Sequence, residues 1–422
     1  MKLLKFRLTV LNFLEFAIWG TYLTCMSRYL ITAGLGDYIS YFYSVQGFVS
    51  LFMPALMGIV ADRWIQAQKT LSLCQFIAGI AMCAVAFYGN SAGSDANFSI
   101  LFSLYTLSVA FYMPTIALTN SVAYAALEGA GEDTVKAFPP IRVWGTIGFI
   151  IAMLCVDWSG LQDKPWQFAV SGGLSIIMGI YALTMPACPT NQGGEKKSLV
   201  DALGLRAFAL FKQRKMAIFF IFSMLLGSAL QITNGYANPF IASFGAESAF
   251  ADTFGVQHAN TLISLSQISE TLCILLIPFF LKRFGIKIVM LMSMFAWVLR
   301  FGFFGLGDPG QGVWLFILSM IVYGVAFDFF NISGSLFVDQ ETDLNIRSSA
   351  QGLFMMMTNG FGASIGMLLA GEVVNHYTHG EVVNGEFYTV GDWTTCWYIF
   401  AGYALVVAIL FAILFRYKHK RE

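Results

Sequence analysis

The stretch "VWLFILSMIVYGVAFDFFNISGSLFV", residues 313–338, contains a single charged side chain, that of Asp328. An apolar run of about 20 residues is long enough to cross a bilayer as a helix. An ionisable group inside such a helix is costly and is by default a candidate for function. No basic residue lies within ten positions of Asp328 in the sequence. The stretch therefore predicts a transmembrane helix with a functional carboxylate near its middle.

Similar apolar runs recur along the whole chain of 422 residues, which is 57% hydrophobic and 11% charged. Ordinary soluble domains carry about 25% charged residues, so the composition excludes that class. The runs predict an all-α membrane protein with twelve transmembrane helices in two six-helix halves. The predicted spans are 8–31, 41–61, 68–89, 97–126, 138–157, 166–185, 216–242, 259–281, 286–306, 313–338, 348–375 and 393–416.

The basic side chains between these spans fall on one side of the twelve-span arrangement, as Lys5, Arg63, Lys215, Lys282 and Arg416 illustrate. The loops on the other side carry mainly Asp and Glu. Loops rich in Lys and Arg stay on the cytoplasmic side, so both termini are predicted to be cytoplasmic. The first span is longer than the apolar core of a signal peptide and has no small-residue cleavage site, so we interpret it as a span.

Residues 187–215 form the one long polar connection on the predicted inner side. They divide the chain into an N-terminal half, 1–186, and a C-terminal half, 216–422. The part "LGLRAFALFKQRK" (203–215) fits either a short amphipathic helix on the membrane surface or a solvated linker. Two halves of this kind are typical of transporters built from repeats.

The motif "GIVADRW" (58–64) ends the second span and resembles the G-x-x-x-D-R signature of the major facilitator superfamily. Gly58 would let two helices approach closely. Asp62, beside Arg63, would then face the N-terminus of a neighbouring helix, which favours a negative charge. The alternative interpretation is a generic cluster of charges at the membrane surface.

Polar side chains recur near the middle of several spans. Asp328 lies about fifteen residues into its span and Glu270 about eleven, which at about 1.5 Å per residue places both near the bilayer midplane. Secondary transporters bind substrates and coupling ions at this depth. Other polar and aromatic side chains at similar depth, spaced about one or two turns along their helices, are Arg142, Thr146, Phe149, Gln231, Asn234, Gln267, Tyr323 and Phe327. Such amides can alternatively tie helices together.

This set of side chains favours a neutral, polar, partly aromatic ligand. Amides and carboxylates pair with hydroxyls and with base edges, and aromatic rings stack on flat heterocycles or sugars. A phosphorylated ligand would require several convergent basic groups, and only Arg142 lies near.

Buried carboxylates also suggest an energy source. A carboxyl group that must be neutral to cross the membrane can couple proton entry to substrate entry, and Asp328, Glu270 and Glu15 are the candidates. Glu15 either meets Arg142, which lies at similar depth, or lines a hydrated cavity. Arg28 is about 20 Å from Glu15 along a helix, and we interpret it as extending to the membrane surface.

No phosphate-binding glycine loop, nucleophile–base pair or metal-ligand spacing occurs in the sequence. The seven cysteines show no CxxC spacing. We therefore expect no enzyme activity, no cofactor and no metal.

Several long motifs closely resemble the nucleoside:proton symporters of the major facilitator superfamily: "FMPALMGIVADRW", "FPPIRVWGTIGFI", "MAIFFIFSMLLGSALQITN", "SQISETLCILLIPFFL", "IVYGVAFDFFNISGS" and "SAQGLFMMMTNGFG". The resemblance implies alternating access and proton-coupled uptake of purine and pyrimidine nucleosides across a bacterial inner membrane. By motif it implies a binding set of Arg142, Thr146, Phe149, Gln231, Asn234, Gln267, Glu270, Tyr323, Phe327 and Asp328. The chain departs from the family at Glu15, where relatives carry an amide, at Arg28, and in a longer outer loop, 375–392.

Other functions compatible with the sequence are transport of a narrower nucleoside such as xanthosine, transport of a sugar, passive uniport, and sensing without transport. The expected partners are a nucleoside, a proton and the lipid bilayer. We expect a multi-pass monomer of the bacterial inner membrane, with no nucleic acid partner.

Overall fold

The computed structural model describes residues 2–189, 205–343 and 346–417. Most of the predicted linker, residues 190–204, and the tail 418–422 lie outside the described residues. The chain divides into two compact units. The first comprises Met1–Tyr38 and Phe48–Leu203, and the second comprises Ile39–Gly47 and Gly204–Glu422.

The first unit is helical, with short 3₁₀ turns at Gly36–Tyr38 and Gly93–Asp95. Its helices are α1 (Lys2–Gly20), α2 (Met26–Thr32), α4 (Met53–Arg63), α5 (Ala67–Ala92), α6 (Phe98–Gly129), α7 (Thr134–Trp158) and α8 (Trp166–Leu183), and α3 (Ile39–Ser50) begins in the second unit and ends in the first. Helix α1 packs on α7, while α5 packs on both α6 and α8.

The second unit combines helices with one β-hairpin and has 3₁₀ turns at Leu205–Lys212 and Phe244–Ala246. Its elements are α9 (Arg214–Ser243), α10 (Phe254–Gln257), α11 (Ala259–Phe284), α12 (Ile286–Leu306), α13 (Val313–Glu341), α14 (Arg347–Met355), a π-helical segment (Met356–Gly362), α15 (Ala363–Tyr377), β1 (Thr378–Val383), β2 (Glu386–Gly391) and α16 (Trp393–Leu414). Helix α12 packs on α13 and α16, and α11 packs on α13.

Within the described residues, eleven helical segments are long and apolar enough to cross a membrane. They coincide, within a few residues at each end, with the predicted second to twelfth spans. The predicted first span, 8–31, is instead two helices, α1 and α2, joined by a turn at residues 21–25. The Thr21 hydroxyl donates to the carbonyl of Ile18 at 2.7 Å, a side-chain bond that competes with regular helix. The twelfth crossing therefore stays a prediction.

Segment Ile39–Gly47 is joined to the rest of the second unit by a reciprocal pair of hydrogen bonds. The Ser44 hydroxyl donates to the Ser364 carbonyl at 2.9 Å, and the Ser364 hydroxyl donates to the Ser44 carbonyl at 3.0 Å. A side-chain carbon on Gly47 would lie 2.9 Å from the Asn359 carbonyl oxygen, so this close approach requires glycine.

The loop predicted at 375–392 contains the hairpin β1–β2, in which Val383 pairs with Glu386. Its turn is Asn384–Gly385, both with positive φ (54° and 86°). Asn-Gly is the pair that favours this two-residue turn. After the hairpin, Asp392 caps α16 and accepts from the Thr395 hydroxyl at 2.5 Å and from its N–H at 2.9 Å. These two bonds, and mainly the one from the Thr395 hydroxyl, hold the pKa of the Asp392 carboxyl below its usual range.

We expect two helical glycines of the first unit to respond in opposite ways to alanine. A Cβ on Gly148 of α7 would lie 3.0 Å from the carbonyl carbon of Phe13, so Gly148→Ala forces α1 from α7 and lowers the melting temperature. A Cβ on Gly173 of α8 meets nothing within 4 Å, so Gly173→Ala leaves the melting temperature unchanged or raises it, since alanine favours helix over glycine by about 1 kcal/mol. Thermal melting of both variants in detergent checks this. Equal shifts would contradict the packing at Gly148.

Candidate functional site

Tyr323 is the centre of the predicted cluster in the second unit. It is only 3% exposed, and its hydroxyl shares a hydrogen bond with the Gln267 side chain. The charges of Glu270 and Asp328 act on this hydroxyl and on each other. The ring of Phe327 lies nearly parallel to that of Tyr323, with 9° between the planes and 5.9 Å between centroids. The structure therefore brings together these five predicted residues from α11 and α13.

Asp328 is the least satisfied member of this cluster. The residue is 6% exposed, and its Oδ2 is buried without a hydrogen-bond partner among the described residues. Glu270 is half-buried. Two carboxyl groups that face each other in a buried site repel when both are ionised, so one proton or a hydroxyl donor from a ligand would stabilise the pair.

The predicted amides of α9 form a pair of their own. Asn234 Nδ2 donates to Gln231 Oε1 at 3.1 Å. Gln231 Nε2 donates to the Tyr43 carbonyl at 3.5 Å, a long bond that ties α9 to the Ile39–Gly47 segment. Gln231 therefore ties two helices together. Asn234 is half-buried and donates one amide hydrogen to Gln231.

The three predicted residues of the first unit lie on the side of α7 that packs on α1. The Arg142 guanidinium stacks on the Phe16 ring, 3.9 Å from its centroid. The Phe149 ring meets Trp19 edge-on at 6.4 Å, and Thr146 is half-buried between these positions along α7. A cation, a hydroxyl and an aromatic ring thus share one helix face.

Glu15 is fully buried, at 0% exposed, and fully hydrogen-bonded. Thr115 Oγ1 donates to its Oε1 at 2.6 Å, and Gln75 Nε2 and Thr119 Oγ1 donate to its Oε2 at 2.9 and 3.1 Å. The charge of Arg142 also acts on Glu15, as expected from their similar depth. The carboxyl group therefore joins α1 to α5 and α6, and no hydrated cavity is needed to account for it.

The Thr115 hydroxyl has two possible acceptors at the same distance. Besides Glu15 Oε1, the carbonyl of Tyr112 lies 2.6 Å away. A hydroxyl donates only one hydrogen, so it serves Glu15 when the carboxyl is ionised and Tyr112 when the carboxyl is protonated and donates in turn. The site accommodates either state of Glu15 without moving a heavy atom.

One expectation about the "GIVADRW" segment was wrong. A side-chain carbon on Gly58 would meet nothing within 4 Å, so within the described residues the close helix approach that we predicted there is absent. Asp62 is exposed, and its interaction with the N-terminus of a neighbouring helix stays a prediction. Arg63 is half-buried. Arg28 is half-buried, and its Nη1 is buried without a hydrogen-bond partner among the described residues, so its extension to the membrane surface stays a prediction.

Sequence reasoning missed Arg300, because it took Arg142 as the one basic residue near the site. It is 1% exposed, its Nη1 donates to the Ser319 carbonyl at 2.7 Å, and its Cζ lies 4.7 Å from the centroid of the Tyr323 ring. A cation over an aromatic face is attractive, so Arg300 holds the Tyr323 ring in place. An arginine inside the apolar stretch "MFAWVLRFGFFG" was the signal.

Comparison with known proteins gives a consistent result. The family model described as nucleoside H⁺ symporter matches residues 1–420. The chain is 48% identical to the xanthosine permease of Escherichia coli over 420 residues, 99% of this chain and 97% of that protein. It is also 48% identical to the nucleoside permease NupG of Escherichia coli over 421 residues, with the same shares.

Solved structures agree. A crystal structure of the nucleoside transporter NupG matches with a TM-score of 0.89 and 48% identity, covering 98% of this chain and 100% of that chain. The xylose transporter XylE of E. coli, in an inward-open structure, matches with a TM-score of 0.65 at 13% identity over 96% of this chain and 95% of that chain. The second match shows the fold alone, which is that of a membrane transporter.

We expect the hydrogen bonds of the Glu15 side chain to contribute more to the stability of the protein than its negative charge does. Glu15→Leu leaves the Gln75 and Thr119 donors without this acceptor, whereas Thr115 keeps the Tyr112 carbonyl, and it should lower the free energy of unfolding by about 1–3 kcal/mol. Glu15→Gln keeps one acceptor and can donate to Thr115, so its loss should be smaller. Thermal melting in detergent measures both, with the exposed Glu128→Leu as control. An unchanged melting temperature for Glu15→Leu would contradict a stabilising role.

Proposed function

Because the chain belongs to the nucleoside H⁺ symporter family, we propose that it imports nucleosides together with protons across a bacterial inner membrane by alternating access. The observation that carries this proposal is the buried cluster around Tyr323, in which two carboxyl groups, an amide and a stacked aromatic pair share one place in the second unit. Similarity to two permeases named for xanthosine and for nucleosides supports the substrate class.

The chemistry of the cluster suits a nucleoside. The exposed part of Phe327, held parallel to Tyr323, offers a flat surface on which a base can stack. The carboxylates of Glu270 and Asp328 can accept from the two adjacent hydroxyls of a ribose. We propose Gln231, Asn234 and Gln267, with Arg142, Thr146 and Phe149 of the first unit, as the remaining binding residues.

Asp328 and Glu270 are our candidates for the proton-coupling groups. Asp328 combines burial with an oxygen that has no hydrogen-bond partner among the described residues, so its charge is costly until a proton or a ligand arrives. Glu15 has every oxygen paired within the first unit. This supports coupling at Asp328 and Glu270 first, with Glu15 as a secondary candidate that can hold a proton beside Arg142.

We further propose purine and pyrimidine nucleosides as substrates, a monomeric state, both termini in the cytoplasm, and a linker at 187–215 between halves 1–186 and 216–422. Gly58, Asp62 and Arg63 remain the proposed conformational motif, although a side-chain carbon on Gly58 would meet nothing within 4 Å and Asp62 is exposed. A narrower range centred on xanthosine is the second candidate, because the xanthosine permease is as similar to the chain as NupG is.

The proposed function predicts gradient-driven accumulation. Proteoliposomes containing the protein should accumulate labelled uridine and adenosine above equilibrium when the outside is made acidic, and only equilibrate when the gradient is clamped to zero. Unlabelled nucleosides should compete, and free bases and sugars should not. Equilibration that ignores the gradient would indicate a uniporter, and competition by xanthosine alone would indicate the narrower range.

Removal of either carboxylate should separate transport from coupling. Asp328→Asn and Glu270→Gln keep similar volume but cannot bind or release a proton, so we expect gradient-driven uridine accumulation to fall at least tenfold in one of them. Exposed Glu381→Gln in the hairpin is the control. Uridine counterflow without a gradient, measured in the same vesicles, reports whether the carrier still binds substrate. Full accumulation in both variants would exclude Asp328 and Glu270 as the coupling groups.

A further inference from the structure

A small pocket of about 30 Å³ lies inside the second unit. On α13 it is lined by Phe327 and nearby residues, and Tyr323 is not part of the lining. Phe327 and Trp297 line it together with Asn331, Thr358 and Asn359. Trp297 also meets the Tyr323 ring edge-on at 6.0 Å. The pocket therefore shares its aromatic wall with the cluster around Tyr323, but its polar residues are different ones.

The π-helical segment Met356–Gly362 forms one wall of this pocket. Single π turns within helices occur frequently at functional sites. Helix α9 approaches this segment closely at Gly227, where a side-chain carbon would lie 2.9 Å from the Thr358 Cα. The approach brings Thr358 and Asn359 beside Phe327, and any larger residue at position 227 would close the pocket.

The two asparagines are the polar groups of the pocket that lack good partners. Asn331 lies one turn beyond Phe327 on α13, is half-buried, and makes no hydrogen bond with any residue that the structure describes. Asn359 is exposed, and its amide reaches only the Met355 sulfur at 4.0 Å. An amide at span depth without a partner is costly. Two such amides at one pocket favour a ligand group that forms hydrogen bonds, such as a hydroxyl or a base edge.

The volume of the pocket limits which part of a ligand can enter. A volume of about 30 Å³ is small, so the pocket suits a small polar group such as a hydroxymethyl better than a whole base ring. We propose that this pocket binds the hydroxymethyl group of the nucleoside's sugar, with Asn331 and Asn359 as its hydrogen-bonding residues and Phe327 beside the sugar. This inference rests on the proposed nucleoside transport and adds two residues to its binding set.

The test compares uridine with 5′-deoxyuridine, which lacks only this hydroxyl. Binding to the purified wild-type protein is measured by calorimetry and by inhibition of labelled uridine uptake. We expect uridine to bind about tenfold more tightly, the ratio that corresponds to about 1.4 kcal/mol of hydrogen bonding. In Asn331→Leu and in Asn359→Leu the ratio should fall to about two or less, with the affinity for 5′-deoxyuridine unchanged. Asn359 is exposed, so its variant is the safer one for folding.

Asn375→Leu, an exposed asparagine at the other end of the same span, is the matched control and should keep the wild-type ratio. A wild-type ratio near one, or an equal loss of affinity for both ligands in the Asn359 variant, overturns the inference while nucleoside transport stands. Absence of uridine binding by the wild type overturns the proposed function, and the inference with it.

Discussion

A polar group inside an apolar helix needs a hydrogen-bonding or charged partner, and the packing of this protein reflects how each such group is satisfied. Glu15 meets its requirement within the protein, through donors from α5 and α6. Arg300 meets it in part, through a backbone carbonyl and two aromatic faces, while its Nε has no hydrogen-bond partner among the described residues. Asp328 and Asn331, three residues and nearly one turn apart on α13, do not meet it with the residues described. Groups of the first kind hold helices together, and groups of the second kind await something that is not part of the chain.

The buried carboxyl groups of Glu15 and Asp328 therefore differ in kind, although the sequence presents them alike. Glu15 is enclosed by hydroxyl and amide donors that suit either protonation state, so its environment resists change. Asp328 faces a second carboxyl and keeps one oxygen without a partner. Tyr323 lies between a partly satisfied and an unsatisfied group of the second unit. Arg300 stacks on its ring, and the charges of Glu270 and Asp328 act on its hydroxyl. A rigid ring beside an unsatisfied acid is a suitable surface for recognition.

Apolar length made eleven of the twelve predicted spans recognisable, because a stretch of about 20 apolar residues has few alternatives to a membrane helix. Helical spacing likewise placed Gln267 with Glu270, and Tyr323 with Phe327, on common faces. Part of what the sequence did not reveal depends on contacts between distant segments. The stacking of Arg300 on Tyr323 depends on packing between α12 and α13. The break at residues 21–25 and the π turn at Met356–Gly362 interrupt stretches whose apolar pattern predicts continuous helix.

The hairpin β1–β2 has a practical consequence of its own. Most of the protein is a bundle of apolar helices, whereas Asn384 and Gly385 form an exposed tip on a short, regular scaffold that is continuous with α15 and α16. A tight Asn-Gly turn tolerates replacement by a longer loop better than a helix end does. An epitope inserted there would give an antibody fragment a defined binding site. The bound fragment would mark the orientation of a particle that is otherwise largely covered by a bilayer or a detergent belt.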